Sequence, residues 1–172
     1  MKRAVGLPCN AGHRRYQSAP LPGVDCAHRC AALLFGRVVI PPVVAAELQR
    51  PRTPAPVRAW MASPPAWLEM RPPRQPLVTT TLRLGGGERE ALSLAQDLHA
   101  ALVLLDDLEA REEAARYALA VMGTLRVLEL ASEHGLLDCA AAITKLEATS
   151  FHMPAQLVQD MLARDAARKR PL

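Results

Sequence analysis

The fold of this chain is decided by residues 102–107, LVLLDD, a short apolar run that ends in two acidic residues. Such a run is typical of a strand that is buried on both faces in a parallel sheet. Residues 108–120 follow it with the pattern of a helix. A buried strand, then a carboxylate, then a helix is the arrangement by which α/β folds place ligands at strand carboxyl ends. Asp106 and Asp107 are therefore predicted to lie at a functional edge of a sheet.

Two more segments combine an apolar element with an acid in the same way. Residues 36–40, GRVVI, form a β-branched run that two prolines stop, and residues 43–49 then have helical spacing that includes Glu47. A second helix is predicted over 88–101, with Glu88 and Glu90 in its first turn. Strands that alternate with helices predict an α/β sandwich with a mainly parallel sheet.

The remaining segments predict a loop excursion and further helices. The stretch 50–76 is rich in Pro and Arg, so it cannot be one helix, and its two Trp residues are expected to pin short pieces to the core. One of those pieces, WLEMRP, is a candidate strand. A turn is predicted at Gly123, followed by a helix with Thr124 as its N-cap and a stop at Gly135. Two amphipathic stretches after residue 140 predict the last helices, and residues 163–172 form a basic tail.

Composition limits the classes of protein to consider. The chain has 172 residues, of which half are hydrophobic and 3% aromatic, so it predicts one domain with few aromatic platforms for stacked bases. No segment approaches the roughly 20 apolar residues that cross a bilayer, and the N-terminus lacks a continuous apolar signal region. The four cysteines suit reduced thiols. We therefore expect a cytoplasmic protein without a membrane partner.

The charge of the chain is unevenly distributed. The net charge is +4, yet residues 88–113 carry eight Asp or Glu against two Arg, while residues 1–30 carry five Lys or Arg against one Asp. Carboxylates gathered at an apolar sheet edge are costly unless a cation neutralises them, and Mg²⁺ prefers oxygen ligands. Basic residues around such a site suit a polyanion. The pattern indicates metal-assisted chemistry on phosphates, although solvated surface charge is the competing explanation.

The first turn of the helix over 88–101 leaves two questions open. Two residues on a helix are separated by about 200° of rotation, so Glu88 and Glu90 cannot face one metal equally. Acids in a first turn also interact favourably with the helix dipole, which requires no metal. The preceding glycine triplet lacks the GxxxxGK[ST] pattern of a phosphate-binding loop.

Six segments together resemble the PIN-like proteins of the DUF3368 group, a family of predicted nucleic-acid-binding proteins. They are FGRVVIPPVVAAEL, PAWLEMRPP, GGGEREALSLA, LVLLDDLEAREEA, GTLRVLELASEHGLL and FHMPAQLVQDML. The resemblance runs from about Leu34 to Leu162. It implies a three-layer α/β/α sandwich and a nuclease that hydrolyses RNA phosphodiesters with Mg²⁺ or Mn²⁺. Many relatives are toxins of bacterial toxin–antitoxin pairs, so RNA, an antitoxin protein and a second copy of the chain are the implied partners.

The resemblance also implies roles for individual residues. The implied catalytic residues are Glu47, Glu88, Asp106 and Asn10. Glu90 is the second choice within its GExEA element, and Asp107 is an accessory to the metal set of Glu47, Glu88 and Asp106. The candidate phosphate contacts are Arg14, Arg15, Arg71 and Arg74.

The N-terminal part departs from the family pattern. Asn10 stands where relatives have Asp or Asn, and it offers a neutral oxygen ligand. Residues 13–33 are polar, interrupted by Pro and rich in Cys, where an apolar helix is expected. One hypothesis is a local disruption of the reading frame, which predicts that the first helix is missing. The departure of the N-terminal part from the family pattern keeps two alternatives to a nuclease open. One is a catalytically silent module that binds nucleic acid or protein, and the other is a damaged copy without function.

Overall fold

The computed structural model describes residues 3–6, 24–74, 79, 82–149 and 151–169; for residues 3–6 and 24–29 it describes the backbone alone. Within these residues a five-stranded parallel sheet is flanked by eight helices. The strands are β1 (Arg3–Gly6), β2 (Arg37–Ile40), β3 (Leu68–Met70), β4 (Leu102–Leu104) and β5 (Val121–Met122). The helices are α1 (Val24–Phe35), α2 (Pro42–Leu48), α3 (Ala55–Ala62), α4 (Gly86–Asp97), α5 (Leu108–Arg116), α6 (Thr124–Glu133), α7 (Cys139–Glu147) and α8 (Ala155–Lys169).

The sheet order places β1 at the centre of the sheet. The order is β3-β2-β1-β4-β5, and all four pairings are parallel. Strand β1 pairs with both β2 and β4, and Val5 is in register with Val39 and Val103. The strand order therefore reverses at β1. In open α/β sheets, ligands bind beside the carboxyl ends of the strands at such a reversal.

Alternating side chains of the strands build a core on each face of the sheet. On one face, Val39, Val103 and Leu105 pack with the buried residues of α4 and α5. On the other face, Val38 and Ile40 pack with Met61 and with partly buried residues of α1 and α3. The predicted three-layer α/β/α sandwich is therefore confirmed.

Two further groups of contacts complete the packing. Trp60 and Trp67 lie with their ring centroids 6.1 Å apart against the second core, so they pin the Pro-rich excursion as expected. Leu125, Leu128, Ile143 and Met161 form a third cluster, which joins α6, α7 and α8. In the part of the chain that is described, no helix is both long and apolar enough to cross a membrane.

Two expectations about individual elements were wrong, and one strand was not predicted. The first helix is present, because residues 24–35 form α1, whose partly buried Phe35 packs on the core. The helix predicted over 108–120 ends at Arg116, since Ala118 adopts a positive φ and the chain then enters β5. Strand β5 has only two residues, which is too short to give a periodic signal.

The start of α6 also differs from the prediction. Gly123 is the N-cap, and Thr124 is the first helical residue. The predicted stop at Gly135 is confirmed, because this glycine has a φ of +67°, the left-handed conformation that glycine adopts at little cost.

Candidate active site

The topology brings acids from three connections to one edge of the sheet. Glu47 follows β2, Asp106 and Asp107 follow β4, and Glu88 opens α4, which packs on β1 and β4. Strands β2, β1 and β4 are consecutive in the sheet, so their carboxyl ends are adjacent. The acids singled out from the sequence therefore share this edge, although up to 60 positions separate them along the chain (107 − 47 = 60).

Glu47 reaches towards the first turn of α4. It lies in the last turn of α2, which packs directly on α4, and its side chain is 33% exposed. A Cβ atom built on Gly87 would lie 2.6 Å from Oε2 of Glu47. The carboxylate thus lies against a helix N-terminus, where the dipole favours negative charge. Arg50 is its ion-pair partner, with a nitrogen–oxygen distance of 3.5 Å.

Glu88 lies among other carboxylates in the first turn of α4. Its Oε2 accepts a hydrogen bond of 2.6 Å from the backbone N–H of Gly85, which caps the helix. Burial raises the pKa of Glu88 above its ordinary value, and the negative charges of Asp107, Glu47 and Glu109 raise it further, against the opposing effect of the Gly85 hydrogen bond. Burial and like charge therefore make the ionised form of Glu88 less favourable than that of an exposed glutamate.

The two adjacent aspartates after β4 have different partners. Asp107 is the N-cap of α5, and its Oδ1 accepts a hydrogen bond of 2.8 Å from the backbone N–H of Ala110. Asp106 is held by Thr124, whose backbone N–H donates to Oδ1 at 2.8 Å and whose hydroxyl donates to Oδ2 at 2.5 Å. Asp106 is thereby oriented from the N-terminus of α6, and Asp107 fixes the start of α5.

The structure adds residues to this edge that sequence reasoning missed. Thr124 orients Asp106, and Gly87 leaves the space that Glu47 occupies. A Cβ atom built on Gly123 would lie 3.1 Å from Oδ1 of Asp106 and 3.6 Å from Nη1 of Arg111. The guanidinium of the exposed Arg111 is therefore close to the Asp106 carboxylate. Guanidinium groups bind phosphate oxygens in a bidentate manner. The GT pair at positions 123 and 124 was the available signal, but it was interpreted as a turn and a helix cap.

The other predicted residues have other surroundings or lie outside the described residues. Glu90 is two positions beyond Glu88, so helix geometry turns it about 200° away, and no hydrogen bond or ion pair of its side chain occurs within the described part. The backbone N–H of Arg74 bonds to the Asp97 carboxylate at the opposite end of α4. Arg71 directly follows β3, and its backbone N–H donates to the carbonyl of Ile40, the last residue of β2, so it lies at the carboxyl ends of these two strands. It also lines a small cavity with Arg74 and the last turns of α4. Asn10, Arg14 and Arg15 lie outside the residues that the structure describes.

The oxygen ligands gathered at this edge are of the chemical type that a hard divalent cation prefers. All the gathered side chains offer carboxylate oxygens, which Mg²⁺ and Mn²⁺ prefer. Burial, and to a smaller extent the charges of Asp107, Glu47 and Glu109, raise the pKa of Glu88, and a bound cation would oppose both effects. Within the described residues, however, no three His, Cys, Asp or Glu side chains are grouped closely enough to hold a metal ion. The carboxylates are thus gathered at one edge without converging on a single point.

Comparison with known proteins agrees with this architecture. The DUF3368 family, described as a PIN domain, matches residues 18–166. The match covers most of the chain and begins earlier than the resemblance that the sequence motifs indicated. No curated protein and no solved structure matches the chain. The parallel sheet, the acids at its carboxyl edge and the family match lead to one conclusion: this chain belongs to the DUF3368 family and carries a PIN-type, nuclease-like domain.

Proposed function

We propose that this protein is a divalent-metal-dependent endoribonuclease of PIN type. The observation that carries the proposal is the approach of Glu47 and Asp107 to Glu88, whose pKa is raised first by burial and then by their charges, with Asp106 next to Asp107 after β4. Carboxylates in such surroundings oppose folding unless a cation neutralises them, and residues with perturbed pKa values cluster at functional sites. A metal-dependent phosphodiester hydrolase would account for both features.

The residues of this chain divide into ligands and supporting groups. Mg²⁺ or Mn²⁺ would be held by Glu47, Glu88 and Asp106 together with Asn10, with Asp107 as an accessory and Glu90 as a less favoured ligand. A bound ion would activate water and stabilise the leaving oxygen in an in-line displacement. Thr124 keeps Asp106 in one orientation, and Arg111 would contact a phosphate of the RNA.

The biological role that we propose is that of a cytoplasmic toxin in a toxin–antitoxin pair, acting as a homodimer. This part rests on the family resemblance. Induced expression in bacteria should arrest growth with the wild-type chain and not with Asp106→Asn. Normal growth with both chains, or a monomer by light scattering, would contradict the corresponding part of the proposal.

One observation favours a second candidate function. Both Asp106 oxygens already accept hydrogen bonds from Thr124, and the described acids do not converge as a ligand set. A PIN-like scaffold that grips RNA or a protein without cutting would have no need of such convergence. The alternative is therefore a catalytically silent binding module.

Cleavage of a mixed RNA pool distinguishes the two functions. Purified protein with Mn²⁺ should cut RNA, whereas EDTA or Asp106→Asn should reduce the rate by about 100-fold or more, since several kcal/mol of metal-assisted stabilisation are lost. The matched control is Glu112→Gln, which neutralises an exposed acid on α5 and should cut normally. Arg111→Ala should weaken RNA binding and leave Mn²⁺ binding intact.

Two results would contradict the nuclease. If Asp106→Asn cut as fast as the wild-type chain, the assigned site would be wrong. If a cooperatively folded wild-type chain bound RNA and cut nothing with either metal, the silent module would be the better account.

A further inference from the structure

The first turn of α4 contains a glycine whose missing side chain leaves room for an acid of another helix. A Cβ atom at Gly87 would lie 2.6 Å from Oε2 and 3.3 Å from Cδ of Glu47, and 3.1 Å from Cγ2 of Val44. Non-bonded heavy atoms attract best at about 3.5–4.0 Å, so the distance to the carboxylate oxygen is far inside contact. Gly87 is buried, and the contact comes from α2 across the α2–α4 packing.

The need for glycine at this position is one of space alone. Gly87 lies within a regular helix, and its φ is not in the left-handed region that would favour glycine. In such a backbone, alanine is the better helix former. A chain selected only for helix stability would therefore carry alanine here. The glycine is explained by what occupies its space, which is the Glu47 carboxylate.

The neighbouring glycines show that this requirement is specific to position 87. A Cβ atom on Gly86 would meet Cγ1 of Val43 at 3.6 Å, an ordinary contact, and Gly86 is exposed. A Cβ atom on Gly85 would lie 3.2 Å from Oε2 of Glu88, the carboxylate that already bonds to its N–H. Only position 87 combines burial with a close approach from a different helix.

We propose that Gly87 is a positioning residue of the acidic site, which admits the Glu47 carboxylate to the first turn of α4. The inference rests on the proposed metal-dependent function for its consequence, because Glu47 is placed as a ligand. Alanine at position 87 would overlap most with the far end of the flexible Glu47 side chain, which would rotate away. It would also lie 3.1 Å from Cγ2 of the buried Val44, which a shift of a few tenths of an ångström relieves without separating the helices. The site would lose a ligand without loss of the fold.

The first test is a stability cycle that needs neither metal nor RNA. Gly87→Ala and Gly86→Ala are each made in the wild-type chain and in Glu47→Ala, and thermal unfolding is followed in EDTA. Gly87→Ala should change the unfolding midpoint less favourably in the wild-type chain than in Glu47→Ala, because only the wild-type chain has a carboxylate that the added methyl group must displace. The contact with Val44 and the gain in helix propensity are common to both chains. Gly86→Ala should hold or raise the midpoint equally in both chains. An equal change from Gly87→Ala in both chains would overturn the proposal, because the Glu47 carboxylate would then not be the obstacle.

The second test measures the consequence for the site. Mn²⁺ alone is titrated calorimetrically into the folded proteins. Gly87→Ala should weaken Mn²⁺ binding by about 10- to 100-fold, the range for removal of a group that orients a metal ligand, while Gly86→Ala should bind as the wild-type chain does. Unchanged binding in Gly87→Ala would overturn the positioning role. If the wild-type chain bound no Mn²⁺, the proposed function would fail together with this consequence, and the stability cycle would still decide whether Gly87 holds the space for Glu47.

Discussion

At the scale of single residues, Glu88 shows a conflict between folding and function. Its pKa is raised by burial and by the nearby carboxylates of Asp107, Glu47 and Glu109. The folded chain therefore binds this proton more tightly than the unfolded chain does. As the pH rises through the ordinary value of 4.5, ionised Glu88 becomes a cost to the metal-free fold.

Glu88→Gln should relieve that cost and remove function. Gln retains an oxygen that can accept the Gly85 hydrogen bond, so the helix cap should persist. In EDTA the variant should unfold at a higher temperature than the wild-type chain at pH 7, and the difference should shrink towards pH 4. Its RNA cleavage should fall by about 100-fold or more. Thermal unfolding across this pH range and the cleavage assay check the two effects.

Glu90→Gln makes the same chemical change two residues further along α4. Because that side chain is turned away from Glu88, its effect on stability and on cleavage should be smaller. Equal losses of cleavage in both variants would show that the choice of Glu88 over Glu90 is wrong.

At the scale of elements, α8 is fixed on α6 by ion pairs and hydrogen bonds whose acids are buried and whose basic partners are half exposed. Glu129 is 3% exposed and accepts hydrogen bonds from Arg164 at 2.7 Å and Arg126 at 2.9 Å. Asp165 is 6% exposed and contacts Ser132 at 2.7 Å and Lys169 at 2.8 Å. Hydrogen bonds to charged groups contribute more to the stability of the fold than hydrogen bonds between neutral groups do. These contacts add to the apolar cluster beneath the last three helices.

These acids predict a dependence of stability on acidity. The pKa of Glu129 is lowered, first by the Arg164 hydrogen bond, and that of Asp165 is lowered, first by Lys169 and then by Ser132. Their stabilisation is complete above the ordinary values of 4.5 and 3.8, and it is lost as the pH falls through the lowered folded-state values.

Glu129→Gln should therefore lower the free energy of unfolding at pH 7 by about 1–3 kcal/mol, and stability should then depend less on pH below 4.5. Urea unfolding between pH 3 and 7 measures both effects. Asp160→Asn is the matched control, because this acid is exposed on α8. Within the described residues, its carboxylate accepts a hydrogen bond from Gln156 alone. If Glu129→Gln and Asp160→Asn lowered the free energy of unfolding equally, Glu129 would have no special role in stability.

At the scale of the whole molecule, the site exists only in the folded chain. A metal that binds the folded chain alone stabilises it by mass action, by about 2.7 kcal/mol at 100 times its dissociation constant. For a chain of this size, each kcal/mol moves the unfolding midpoint by about 2–4 °C. Saturating Mn²⁺ should thus raise the midpoint by about 5–11 °C, and EDTA should reverse the shift.

Two variants sharpen this measurement. Asp106→Asn should show little or no shift with Mn²⁺, whereas Glu112→Gln should shift as the wild-type chain does. An equal shift in Asp106→Asn would mean that the metal binds elsewhere on the protein.

The correct expectations come from segments with strong local patterns. The run LVLLDD is β4 and its following acids, and the three- and four-residue steps after Gly85 are α4. The predicted end of that helix at residue 101 was wrong, because α4 ends at Asp97 and His99 adopts a positive φ. The site residues that the sequence missed have no such pattern. Thr124 was interpreted as a helix cap because its partner, Asp106, is 18 residues away. The first helix was doubted because residues 13–33 are polar, yet its last turns carry enough apolar surface to pack as α1.

The sequence by itself determined the α/β class, the elements around β2, β4 and α4, and the acids at their ends, since these follow from periodicity and from chain order. Tertiary structure alone decided which acids are neighbours. The sheet order places β1 between β2 and β4, so that α2 meets α4 and Glu47 meets Gly87. It also decided that Thr124 orients Asp106. Contacts of this kind depend on packing between segments that are distant in the chain, and a local sequence pattern does not show which distant segments pack together.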